Sequence, residues 1–268
     1  MNWLGFSSVA IGVAFFFLAQ WSGRRPASPR IKRFSLGICL FLALPGVIYA
    51  IYYFRILGEP IWLYRLRAVP GTELLASLSG FFAGLIQVWV VPSLKLSRVG
   101  RRVLVPLVLV IVLALPYLKP ILRPLKREAL EDRWSEGVCM QSTFSTCGPA
   151  SAATVLRELG ARVSERELAI EAMTSDRGTE NWYLARALRR RGFEVSFTLE
   201  GLSVKTPAVL GVRLHQYGSS GHFVALLGRN GDRFVIADPM EGKSTNTVAE
   251  LEDKYELTGF AMLIERVE

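Results

Sequence analysis

Cys147 is followed at once by Gly148 and Pro149 in QSTFSTCGPASAATVL, residues 141–156. Pro149 near a first turn and Gly160 as a stop predict a helix over 148–159, which puts the thiol at or beside its N-cap. Backbone N–H groups and the helix macrodipole favour a thiolate there. A nucleophilic cysteine needs that help, because a thiol of pKa about 8.5 is only a few per cent ionised at neutral pH. The chain has two histidines, His215 and His222. His222 stands at the mouth of a strand in GSSGHFVALLG, where a neutral imidazole can take the thiol proton and return it to a leaving amine. Asp238 closes the next strand, RFVIADP. The hairpin between the two strands brings 222 and 238 to one end, so the carboxylate can hold the second ring nitrogen. Gln141 lies six residues before Cys147. Its amide and the backbone N–H of Cys147 can serve as donors to an oxyanion.

Each residue has a plainer reading when taken alone. A free cysteine is among the most buried residue types, a histidine at a strand end is commonly structural, and Asp-Pro is a common turn former. The order glutamine, cysteine at a helix start, histidine on a strand and aspartate on its neighbour makes acyl transfer the stronger reading. Cys139, eight residues before Cys147, is either a bystander thiol, the favoured reading, or the partner of a silencing disulfide. His215 reads as a loop residue, and Trp182 and Tyr183 as core. Three cysteines without a CxxC pair supply neither a disulfide framework nor a structural zinc site. No cofactor or metal is expected.

The elements that must position these residues lie in the second half. Helices are predicted at 148–159, after a capping box at Ser164 and Glu167, and at 179–191. Five strand-like runs follow: FEVSFTL, PAVLGVRL, HFVALLGR, RFVIADP and FAMLIERV. Asn230-Gly231 marks a two-residue hairpin. Helices first and an antiparallel sheet second is an α+β layout. ADPMEGKST echoes a phosphate-binding loop, but Ala237 replaces its first glycine.

The first half has a different physics. Residues 1–133 hold 17 Lys/Arg and 5 Asp/Glu, whereas 134–268 hold 15 and 18. The basic excess sits beside hydrophobic runs, which suits the flanks of membrane helices better than a nucleic-acid surface, and no nucleic-acid partner is expected. Spans are expected near 3–22, 34–54, 74–94 and 103–120, an all-α bundle of about four transmembrane helices. No charge stands inside the uncharged runs, so they carry no mark of a transport or proton path. The first run lacks a basic n-region and reads as a retained helix rather than a cleaved signal. The expected division is an anchor at 1–125, a connector at 126–134 and a catalytic domain at 135–268. Loops 22–33 and 95–102 carry nine basic residues and no acid, which places them inside and the second half outside the cytoplasm.

QSTFSTCGPASAATVL, GHFVALLGRNGDRFVIADPMEG and LTGFAMLIE together resemble the double-glycine leader peptidases, the bacteriocin-processing cysteine peptidases of the papain-like clan. The resemblance covers about 135–268. It implies a papain-like fold in which Gln141 supports the oxyanion hole, Cys147 is nucleophile, His222 is base and Asp238 orients it. It also implies a peptide or protein substrate and, with the membrane region, a bacterial plasma-membrane protein lying in a lipid bilayer and working with a separate peptide exporter. The chain departs from the family in three ways. Thr146 stands where an acid often precedes the cysteine, the domain follows its membrane helices, and no nucleotide-binding domain comes after it. A transamidase or deamidase using the same residues, or a tethered peptide-binding module without catalysis, are the competing expectations.

Overall fold

The computed structural model describes residues 3–53, 60–218 and 220–267. Residue 54 of the second expected span and Ser219 of the glycine-serine loop lie outside the described residues. Contacts divide the chain into two compact units, Met1–Gly58 with Pro70–Ile121, and Glu59–Val69 with Leu122–Glu268.

The first unit contains α1 (Trp3–Gly23), α2 (Pro29–Tyr53), a 3-10 turn (Thr72–Leu78) leading into α4 (Ser79–Trp89), and α5 (Arg98–Leu122), which runs to the edge of the unit. Among the described residues, four helical stretches, the third being Thr72–Ser93, are long and apolar enough to cross a membrane. Phe17, Phe34, Phe41 and Leu107 point outward from them. Small residues set the packing. A Cβ on Gly80 would lie 2.0 Å from the Gly12 carbonyl oxygen, and one on Gly84 would lie 2.4 Å from that of Phe16. Gly80 and Gly84 form a GxxxG pair that lets two backbones touch. Glu73 falls inside the third stretch, one residue before the expected uncharged run, and is fully buried.

The second unit holds the α+β fold. Its order is α3 (Ile61–Arg67), β1 (Arg133–Ser135), β2 (Val138–Met140), α6 (Cys147–Glu158), α7 (Glu165–Glu171), α8 (Asn181–Arg190), β3 (Phe193–Thr198), β4 (Ala208–Leu214), β5 (Ser220–Asn230), β6 (Arg233–Asp238), β7 (Gly242–Asn246), α9 (Val248–Lys254) and β8 (Tyr255–Arg266). Ser164 and Glu167 close the expected capping box on α7. The sheet is wholly antiparallel, in the order β3-β8-β4-β5-β6-β7. Asn230 pairs with Arg233, so the two-residue turn is Gly231-Asp232, one place later than the Asn-Gly signal suggests. Gly231 takes the left-handed conformation (φ 64°) that the tight turn demands. The segment resembling a phosphate loop is the β6–β7 hairpin.

The division differs from the sequence-based boundaries at α3. This loop between the second and third expected spans belongs to the second unit. Tyr64 is 1% exposed, with ring centroids 5.9 Å from Trp182, 6.1 Å from Phe197 and 5.8 Å from Phe260. Arg65 donates to the Phe197 carbonyl at 2.8 Å, and Arg189 donates to that of Ala68 at 3.0 Å. Losing a buried aromatic side chain costs about 3–5 kcal/mol. A chain trimmed to 122–268 is therefore expected to denature well below the same chain with 59–69 fused to it by a flexible linker. Equal midpoints in urea would show that α3 is dispensable.

Candidate active site

Cys147 is the first residue of α6, after Thr146 at the N-cap. Thr146 is buried and donates its hydroxyl to the Thr143 carbonyl at 2.9 Å, so the loop before the helix is closed on itself. Helix α6 buries every residue from Cys147 to Leu156. Ser151, one turn after the cysteine, donates to the Phe223 carbonyl at 2.9 Å and ties α6 to β5 beside His222. Gly148 assists that approach. A Cβ there would meet the Phe223 ring at 3.3 Å, so the glycine lets helix and strand close together.

His222 lies two residues into β5, across from Val212 of β4. Ala225 pairs with Ala237, which sets His222 and Asp238 at the same end of the β5–β6 hairpin. The His222 Nε2 and Asp238 Oδ1 are 3.0 Å apart. Asp238 Oδ1 also accepts the Met240 N–H at 2.8 Å, and Oδ2 accepts the Tyr255 hydroxyl at 2.5 Å. All these groups are buried. Cys147 is 7% exposed, His222 4% and Asp238 1%. Nε2 is committed to Asp238, which leaves Nδ1 as the ring's other nitrogen.

Burial alone would push the imidazole's pKa down, but the hydrogen bonds and charges of Asp238 and Cys147 outweigh it and raise His222 to about 9. Burial raises Asp238, and its bonds to His222, Tyr255 and Met240 overcome this, leaving it below the ordinary carboxylate range. Burial and the adjacent Asp238 carboxylate hold Tyr255 far above the usual phenol range, so it remains a donor. Tyr255 was not legible as a site residue. It opens β8, seventeen residues beyond Asp238, and only the sheet order brings the two together.

Gln141 lies between β2 and α6, where its backbone N–H donates to the Pro239 carbonyl at 2.8 Å. The Gln141 Oε1 is buried and has no hydrogen-bond partner among the described residues. Pro239 follows Asp238, so this bond joins the glutamine's loop to the carboxylate's turn. A groove of about 560 Å³ reaches Gln141 and is lined by Trp134, Met140, Phe144 and Met240 among others.

Cys139 is fully buried, donates its backbone N–H to the Thr154 hydroxyl at 2.9 Å, and is a free thiol. Burial first, then the carboxylates of Glu165 and Asp132, push it up to about 12. Such a thiol is inert, in keeping with the bystander reading. His215 is exposed and contacts the Glu252 carbonyl at 3.2 Å. Trp182 and Tyr183 are core residues. Among the described residues no cluster of three or more His, Cys, Asp or Glu side chains is arranged to hold a metal.

Comparison with known proteins follows the same half of the chain. An uncharacterised protein of Methanothermobacter marburgensis is 34% identical over 109 residues, which is 40% of this chain and 75% of the relative. One from Methanothermobacter thermautotrophicus is 32% identical over 115 residues, 41% and 76% of the respective chains. Among solved structures, the peptidase domain of Streptococcus ComA, a bi-functional ABC transporter of a quorum-sensing pathway, aligns with a TM-score of 0.43 and 19% identity, over 48% of this chain and 98% of that one. A double glycine motif protease from an AMS/PCAT transporter, solved with the leader peptide, aligns with a TM-score of 0.43 and 23% identity, over 48% and 91%. The sequence profile of the Peptidase C39 family matches residues 125–268. That match takes in more than half of the chain and every residue of the buried thiol, imidazole and carboxylate arrangement, and with it this chain belongs to the Peptidase C39 family, the double-glycine leader peptidases that its motifs resemble.

Proposed function

We propose that this protein is a membrane-anchored cysteine peptidase that hydrolyses a peptide bond by a Cys147–His222–Asp238 triad with Gln141 in the oxyanion hole. The observation that carries the reading is the buried His222–Asp238 contact of 3.0 Å, together with Cys147 at the start of α6, a helix that Ser151 ties to β5 beside His222. An imidazole with a pKa near 9 is protonated at neutral pH, which suits it to give a proton to the leaving amine. The thiolate attacks the substrate carbonyl carbon, a C–S bond forms, and the carbonyl oxygen becomes an oxyanion. The amide of Gln141 and the backbone N–H of Cys147 stabilise it. The C–N bond then breaks, and imidazolium gives its proton to the leaving amine. Water, deprotonated by His222, cleaves the thioester, and the acid product and free thiol are released.

The substrate is a leader peptide, and a separate exporter carries the product. Membership of the Peptidase C39 family supports a peptide substrate. The four long apolar helices support anchoring at a bilayer, and the basic loops 22–33 and 95–102 support a catalytic domain on the side away from the cytoplasm. A peptidyl chloromethyl ketone should label the full-length protein in detergent. Labelling should vanish in Cys147→Ala and fall sharply in His222→Ala. Equal labelling of parent and His222→Ala would mean that the imidazole does not activate the thiol.

A further inference from the structure

Glu165 is a fully buried carboxylate on the first turn of α7, and it makes no contact with the triad. A buried carboxylate is costly unless its oxygens are satisfied. Both of them are, and by the same residue. Oε1 accepts the backbone N–H of Ser142 at 2.8 Å, and Oε2 accepts the Ser142 hydroxyl. The Ser142 oxygen in turn accepts the Glu131 N–H at 2.9 Å, and the Glu165 N–H donates to Asp132 Oδ1 at 2.9 Å. Ser142 is the residue after Gln141. The loop is therefore fastened on both sides of the glutamine, by the Pro239 carbonyl to its own N–H and by Glu165 to its successor. The Gln141 side chain has no such hold on its oxygen, so the direction of its amide depends on the backbone that carries it.

We infer that Glu165 is a positioning residue for the oxyanion hole, acting through Ser142 to aim the Gln141 amide. The inference rests on the role proposed for Gln141. A core helix packed only for stability would favour an apolar side chain here. Two charge-assisted hydrogen bonds converging on one loop residue instead restrict its backbone more tightly than apolar contact does. Misplacing a catalytic group by about 1 Å can lower the rate by as much as a hundredfold.

The test uses the full-length protein in detergent with a peptide substrate and with iodoacetamide. Alkylation forms a C–S bond as iodide leaves, with no oxyanion, so its rate reports the thiol and His222 but not the hole. Glu165→Gln is expected to lower kcat at least about tenfold with KM little changed and the rate of iodoacetamide inactivation preserved. Ser142→Ala, which keeps the backbone bond to Glu165, should show a smaller loss of the same kind, and it tests the idea if Glu165→Gln folds poorly. In a Gln141→Ala background Glu165→Gln should cost much less than in the parent, because the aimed group is gone. If Gln141→Ala costs about a hundredfold while both clamp variants keep the parental kcat, Glu165 has no positioning role and the hole stands without it. Equal falls in hydrolysis and alkylation, or the same cost in both backgrounds, would mark a general structural role and overturn the inference. A Gln141→Ala variant with parental kcat would instead remove the assignment of Gln141, and the clamp's proposed purpose with it.

Discussion

Cys147→Ala is expected to reduce peptide hydrolysis by the full-length protein to the rate of buffer, a loss of about 10⁴-fold or more. Among the described residues, the nearby Cys139, Ser145 and Thr146 cannot take the place of Cys147. The Cys139 thiol is fully buried and held near pKa 12. The Ser145 hydroxyl donates to the Asp176 carbonyl at 2.5 Å, and the Thr146 hydroxyl to that of Thr143 at 2.9 Å. Neither hydroxyl faces a base, so neither can replace the sulfur. The substitution removes one atom from a residue that is 7% exposed, at the end of a helix otherwise held by Ala150, Ala152, Val155 and Leu156. The denaturation midpoint should move little, which separates lost chemistry from lost fold. His222→Ala should lose activity to a similar degree, since residues acting as a unit fail together. More than about one per cent of parental turnover in Cys147→Ala, measured with enzyme purified free of host peptidases, would end the proposed mechanism.

What could be read from the chain without coordinates is what local patterns encode. The Cys-Gly-Pro junction announces the start of α6, and the period-two runs on either side of Asn230-Gly231 announce a hairpin with His222 and Asp238 at its open end. The capping box at Ser164 and Glu167 is a purely local device and lies where expected. The parts that were not legible are long-range or too short to show a period. Tyr255 reaches Asp238 only because β8 is threaded between β3 and β4. Glu165 reads as an ordinary first-turn acid, and nothing in SERELAIE says that it turns inward to Ser142. β1 and β2 have three residues each, and α3 has seven, so none can display an amphipathic repeat. The placement of α3 has a physical source in IWLYRLR. Tyr64 finds an aromatic cluster made by α8, β3 and β8, elements more than a hundred residues away in sequence. The Gly80–Gly84 spacing was visible in the sequence, but its meaning depends on which helix lies opposite.

Those long-range contacts explain why the site's charges are stable where they are, and they set the second large effect. Asp238→Asn is expected to lower kcat/KM at pH 7 by about a thousandfold and to move its alkaline limb. In the parent, burial opposes protonation of His222, but the carboxylate and the sulfur raise its pKa from 6.5 to about 9. Imidazolium is therefore present at neutral pH and lost as pH rises through about 9, which places the falling limb of kcat/KM there. As the thiol and imidazole interact, that limb belongs to the pair and not to one residue. Asparagine keeps the shape of the side chain but removes its charge, so burial gains weight and the limb moves toward lower pH. The same linkage appears in stability. A histidine raised on folding contributes stability that is whole below about 6.5 and lost as pH rises through about 9. Asp238, lowered on folding, contributes above its unfolded pKa and loses that contribution as pH falls through its folded value. The parent's denaturation midpoint should thus decline between pH 6.5 and 9, and that decline should be shallower in Asp238→Asn. Phenylalanine at Tyr255 removes one donor to the carboxylate and leaves the 3.0 Å contact with His222 intact. Without that donor the carboxylate is a stronger base, and the imidazolium is held no less firmly, so this variant's limb should stay at or above the parental pH. An alkaline limb at the same pH in parent and Asp238→Asn would mean that the carboxylate does not hold the imidazolium, whatever the distance between them.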